Sequence, residues 1–162
     1  MPVMETKNFG TISFETESEL EFPRGLPGFD SRKRFVAVRF VESDPLIYLQ
    51  SLEDPGLCFI TAPVQTVDPK YRLKVSAEDL EQLGLPLARQ PRIGEDVVAL
   101  TVVSIRESGP TANLLAPVLV NLRNRKAVQA VSEEPGYSHQ HMLLPEEEIA
   151  KKPLAEEAAV CS

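Results

Sequence analysis

Two apolar runs, residues 46–52 and 57–62, are separated only by Glu53-Asp54-Pro55-Gly56, and that spacing forces the chain to double back on itself. Asp54 is pushed out of the α region by the proline after it, the ring of Pro55 presets φ, and Gly56 accepts positive φ. The two runs therefore read as an antiparallel hairpin. A second hairpin follows from residues 118–122 and 127–131, which flank the basic tip Arg123-Asn124-Arg125-Lys126. Residues 9–14 alternate apolar Phe9, Ile12 and Phe14 with polar neighbours, residues 34–40 read as a half-buried strand ending at Val41, and the β-branched run 97–105 suits a central strand. These strands are not separated by helices, which excludes a doubly wound sheet. The expectation is an all-β, mainly antiparallel domain of barrel or sandwich type with one or two short helices.

One helix is signalled: Ser76 caps it, Glu78 and Asp79 occupy its first turn, and Gly84 ends it, with Val75, Leu80 and Leu83 facing the core. Residues 86–94, with two prolines and no period, form a connecting loop. In Phe22-Pro23-Arg24-Gly25-Leu26-Pro27-Gly28-Phe29, prolines that fix φ alternate with glycines that allow positive φ, so a sharp turn holds Phe22, Leu26 and Phe29 at set angles. Residues 111–121 combine small, apolar and proline positions in the same manner. Residues 1–144 are expected to form one domain. Residues 145–162 are rich in Glu, Lys and Ala and interrupted by Pro153, and are expected to be a largely disordered or partly helical tail.

Charge narrows the partners. Seventeen Lys and Arg against 24 Asp and Glu give a net charge of −7, which repels nucleic-acid backbones and acidic membranes and attracts a basic protein. No stretch of eighteen apolar residues and no signal-peptide pattern is present, and the two cysteines, Cys58 in an apolar run and Cys161 near the end, suit a reduced, cytoplasmic protein. The basic residues Arg32, Lys33 and Arg34, with the hairpin tip, carry no interleaved aromatics and make a poor RNA-binding patch. Glu15, Glu17, Glu19 and Glu21 at period two place four carboxylates on one side of an extended segment, either guarding an edge or docking a basic partner.

Reactive constellations are few. His139 and His141, spaced to share a strand face, could offer two metal ligands but lack a local third. Cys58 reads as a small buried hydrophobe, and the 25–28 loop cannot cradle phosphate because Pro27 donates no amide and no Lys-Ser or Lys-Thr follows. No catalytic, metal or cofactor residue is nominated. A hydrolase using Cys58, His139 and His141, and a nucleic-acid-binding barrel, are the alternatives from other classes.

Phe9-Gly10, the 22–29 segment, Tyr48-Leu49-Gln50-Ser51-Leu52-Glu53-Asp54-Pro55 and the 111–121 segment together resemble the FliW flagellar assembly factors of bacteria, from about Glu5 to about His141. The chain has Tyr48 where the family often has Trp. The resemblance implies a barrel-like antiparallel fold, no catalysis and no cofactor. It implies two protein partners: the translational repressor CsrA, a basic RNA-binding dimer that the factor keeps from silencing flagellin messenger RNA, and flagellin, which occupies the factor while it accumulates. For contacts with such partners the motif segments nominate Leu26, Phe29, Gln50, Asp54 and Asn113. Each also has a packing explanation: Leu26 and Phe29 as core plugs, Asp54 as a turn former, Asn113 as a cap for the Leu114 segment.

Overall fold

A computed structural model describes residues 1–143; the expected tail lies outside the described residues. The chain forms β1 (Val3–Thr6), β2 (Gly10–Ser13), β3 (Leu20–Glu21), β4 (Arg34–Val38), β5 (Ile47–Ser51), β6 (Cys58–Pro63), α1 (Val64–Val67), α2 (Ala77–Leu83), β7 (Val97–Arg106), β8 (Gly109–Asn121), β9 (Ala127–Gln129) and β10 (His141–Met142). One sheet runs β10-β8-β7-β6-β5-β4-β3 with β9 also on β8, and β1–β2 is a separate hairpin. Every strand pairing is antiparallel. The long sheet curls until β3 meets the far hairpin, where Glu21 N donates to Arg125 O at 3.0 Å beside a parallel bridge between Glu21 and Lys126. The result is a nearly closed antiparallel barrel.

Alternation along the strands sorts the core. One face carries Leu20, Phe22, Leu26, Phe35, Leu49 and Leu100, which form the enclosed cluster. The opposite face of β5 and β6 carries Tyr48, Cys58 and Ile60, covered by Phe9 beside the β1–β2 hairpin. Phe9, Phe40 and Tyr48 form an aromatic triplet with centroids 5.2–6.0 Å apart. On β8 and β9, Leu119, Val128 and Ala130 are covered by Leu80 and Leu83 of α2 and by Val64 and Tyr71.

The β5–β6 hairpin forms as expected, but Gly56 does not have positive φ. Ser51 Oγ takes the amides of Glu53 and Asp54 at 3.0 and 2.9 Å, and Asp54 Oδ1 takes that of Gly56 at 3.0 Å. The glycine packs beside the β1–β2 hairpin instead. Lys7 N bonds to Pro55 O at 3.0 Å, and a Cβ on residue 56 would stand 3.1 Å from the Lys7 side chain. The helix also forms as expected: Ser76 Oγ accepts from Asp79 N, and Gly84 takes φ +75.

Three further expectations change. The acidic run is not extended, because Thr16–Ser18 is a 3-10 turn with Ser18 N bonded to Glu15 O and Glu19 N to Thr16 O, and Glu19 turns to Arg34 at 2.5 Å. The strand expected from residue 118 begins at Gly109 and runs 13 residues. Pro117 is tolerated because the ladder is interrupted there: β7 passes from Leu100 opposite Val118 to Val102 opposite Asn113, leaving an irregular bulge over the intervening residues of β8, while Pro110 stands opposite Ile105 beside the β7–β8 turn. The strand expected to end at Val41 stops at Val38, and Val41 opens a 3-10 turn with 92% of its surface exposed.

Two ionisable groups make the stability of this fold depend on pH. Burial pushes the Tyr71 phenol, which donates to Leu114 O at 2.7 Å, up to about 12 from 10.0. The unfolded chain then releases this proton first, so the contribution is complete below pH 10.0 and is lost as pH rises toward 12. Arg89, bonding through its guanidinium, and the Arg92 amide hold the Asp96 carboxyl at about 2, below its ordinary 3.8. That contribution is present above the ordinary value and is lost as pH falls through about 2. Urea unfolding against pH is expected to lose part of its alkaline slope in Tyr71→Phe and part of its acid slope in Asp96→Asn; slopes unchanged from wild type would contradict both assignments.

Candidate partner-binding surface

The 22–29 turn is built from backbone bonds. Gly25 N donates to Phe22 O at 2.8 Å, Phe29 N to Leu26 O at 2.7 Å and Arg32 N to Phe29 O at 3.0 Å. Gly25 and Gly28 take φ +66 and +84, as their spacing between prolines implies. Gly25 has a further constraint, since a Cβ there would lie 2.6 Å from the carbonyl oxygens of Phe29 and Asp30. Phe22 is fully buried edge-on to Phe35, and Leu26 is 3% exposed. Phe29 is half-buried, edge-on to Phe59 with centroids 5.4 Å apart.

Leu26 and Asn113 meet at one end of the enclosed core, where they line a depression of about 150 Å³ with Leu49, Phe59, Gln129 and His139. Asn113 shapes this mouth: its Oδ1 takes the amides of Leu115 and Ala116 at 3.1 and 2.9 Å, which supports the bulge in β8. Phe29 joins the mouth through Phe59. Gln50 and Asp54 belong instead to the neighbouring β5–β6 turn. Gln50 is fully buried, and its Nε2 points at the carbonyls of Ser51, Asp54 and Pro55 at 3.0–3.4 Å. Asp54 Oδ2 lies 3.8 Å from Arg32 Nε.

Glu53 was not singled out by sequence, yet its Oε1 accepts from Lys33 N at 2.7 Å and Arg34 N at 3.2 Å and so fastens this turn to the segment after the 22–29 loop. Only its place beside Asp54 in the turn hinted at this. Gln129 and Phe59 were also missed as lining residues. Phe59 was legible only as an alternate position in an apolar run, since nothing local shows which side of a strand faces a cavity.

The other sequence candidates are scattered. His141 lies on β10 opposite Ala112 and His139 in the preceding turn, so the two do not share one strand face. Cys58 is buried on β6 opposite Gln50. Among the described residues no group of three or more His, Cys, Asp or Glu could hold a metal ion, and no helix is long and apolar enough to cross a membrane. Lys33, Arg34 and Arg125 line a cleft of about 590 Å³ together with Glu17, Glu19 and Glu21, so the basic residues near the hairpin tip are interleaved with carboxylates.

Fold and surface together define a small, nearly closed antiparallel barrel with a turn-built mouth at one end of its core. A sequence model of the FliW protein family matches residues 3–143. The flagellar assembly factor FliW of Heliobacterium modesticaldum is 31% identical over 88% of this chain and 90% of its own length. That of Geobacillus sp. strain WCH70 is 34% identical over 90% of this chain and 97% of its own. A crystal structure of the flagellar assembly factor FliW superposes with a TM-score of 0.76 at 30% identity, covering 90% of this chain and 99% of the solved one. The chain belongs to the FliW family.

The two turn glycines separate strain from clash. Gly28→Ala places a Cβ in open space and meets only the cost of positive φ, whereas Gly25→Ala adds the collision with two carbonyls. Thermal and urea unfolding should show Gly25→Ala destabilised by about 2–4 kcal/mol and Gly28→Ala by about 1 kcal/mol. Equal losses would mean that the carbonyl cradle yields freely.

Proposed function

We propose that this protein is a cytoplasmic flagellar assembly factor that works by binding rather than catalysis. In this reading it captures CsrA and relieves repression of flagellin messenger RNA, and accumulating flagellin occupies the factor and returns CsrA to its RNA. The observation that carries the reading is the extent of the likeness: the match runs through all the described strands, and 99% of the solved FliW chain is covered. The net charge of −7 supports a basic partner, which it attracts at long range while repelling RNA. Phe29, Asp54 and Asn113 are the proposed contacts, all partly exposed around the mouth and its neighbouring turn, with buried Leu26 and Gln50 holding their shape.

Antagonism by capture has a thermodynamic signature. The factor must bind RNA-free repressor more tightly than RNA-bound repressor, and RNA affinity must fall by the same ratio. Calorimetric titration into CsrA, alone and preloaded with flagellin leader RNA, is expected to show this weakening, with relief on adding flagellin. Association should slow as salt rises. Silence in every titration, with the fold verified, would refute the partner reading.

A further inference from the structure

β9 has one strand neighbour among the described residues, β8. The ladder continues past its end, with Ala130 N bonded to Pro117 O at 2.9 Å and Ser132 N to Leu115 O at 2.7 Å. Amides of an antiparallel strand alternate between its two sides, so the N–H groups of Gln129 and Val131 face away from β8. This outer edge begins where the barrel seam ends. After Glu21 bridges Lys126, Phe22 leaves the seam and bonds through its N–H to Lys33 O at 2.8 Å.

Opposite the edge lies a cleft of about 510 Å³, walled by the 24–30 turn and by the first turn of α2. Val131 lines it with 62% of its surface exposed. Pro27 and Gln129 line both this cleft and the barrel mouth, so the two are adjacent. Four carboxylates line the cleft (Asp30, Glu78, Asp79 and Glu133) against one guanidinium, Arg24, which is already paired with Asp79 at 2.5 Å and lies 3.9 Å from Glu78. Sheet edges that avoid pairing are commonly guarded by lysine. Here no lysine lines the cleft among the described residues, and its carboxylates select for a basic strand.

We propose that the outer edge of β9 docks an extended, Lys- or Arg-bearing segment of a protein partner, which adds as a strand against Gln129 and Val131 and sets its basic side chains among Asp30, Glu78 and Glu133. Main-chain hydrogen bonds supply affinity in such additions, and flanking side chains supply specificity. The inference rests on the reading that the factor captures a basic protein. A second copy of this chain pairing through the same edge would bring carboxylates onto carboxylates. Residues 144–162 of the chain itself, with five glutamates to two lysines, carry the wrong charge.

Amide exchange of the full chain, followed by NMR with two synthetic octapeptides, alternating Lys-Val and alternating Glu-Val, tests it. Unbound, Gln129 and Val131 should exchange fast while Ala130 and Ser132 are protected; protection of all four would show the edge already paired and overturn the proposal. The Lys-Val peptide should slow Gln129 and Val131 and the Glu-Val peptide should not, and no change with the Lys-Val peptide overturns it as well. Val131→Pro, which removes an outward amide, and Glu133→Lys should each weaken CsrA binding by about tenfold while melting like wild type. CsrA that binds these variants as well as wild type overturns the assignment of the edge to that partner. CsrA that ignores the wild type while the Lys-Val peptide protects the edge refutes the repressor reading and leaves the edge standing.

Discussion

The barrel is closed at its seam by a short length of backbone, the Glu21 N to Arg125 O bond and the parallel bridge to Lys126. Everything enclosed depends on this closure, because Phe22, Leu26 and Phe35 are buried only if β3 and the β8–β9 tip are brought together. Two residues of β3 cannot hold a seam by hydrogen bonding alone, since each bond adds only about 1 kcal/mol net. Burial of the aromatic pair Phe22 and Phe35 behind it stabilises the closure more, by roughly 2–3 kcal/mol for each ring. The seam is short because the chain must then turn, and the two glycines at positive φ take it away from β9. Closure and the open edge beside it are therefore consequences of one turn.

How far the sequence disclosed this depended on whether a signal was local. The β5–β6 hairpin and the Ser76-to-Gly84 helix were readable because cap, turn and period lie within a few residues of each other. The positive φ of Gly25 and Gly28 was readable for the same reason. The neighbour of Gly56 was not, because it is Lys7, forty-nine residues earlier. The length of β8 was hidden by Pro110 and Pro117, which argue locally against a strand; Pro117 is accommodated where β7 shifts register, and Pro110 stands opposite Ile105 at the start of β8 beside the β7–β8 turn. The acidic run failed similarly: period two was present, but Arg34 on a neighbouring strand pairs with Glu19 and the segment folds into a 3-10 turn.

Of the nominated contact residues, the sequence identified the right segments more securely than the right role for each side chain. Proline, glycine and asparagine mark where backbone changes direction, and the structure uses Asn113 to hold a bulge and Asp54 to hold a turn. Whether a neighbouring apolar residue lines a mouth or fills the interior is decided by the curl of the whole sheet. Leu26 and Phe29 differ although three residues apart, the first only 3% exposed yet lining the mouth and the second half-buried against Phe59.

The distribution of charge completes the physical picture. A net charge of −7 spread evenly would steer a basic partner to the molecule but to no particular place on it. In the cleft by Glu17, Glu19 and Glu21, acidic side chains stand beside Lys33, Arg34 and Arg125, so their fields largely cancel at a distance. In the cleft beside β9 the single Arg24 is held by Asp79, and Asp30 and Glu133 face solvent, so the negative potential survives next to unpaired backbone donors. Long-range attraction and short-range hydrogen bonding thus coincide at one edge of the barrel. That edge adjoins the mouth that Asn113 and Leu26 shape, with Pro27 and Gln129 lining both, so a segment bound along it would meet the 22–29 turn.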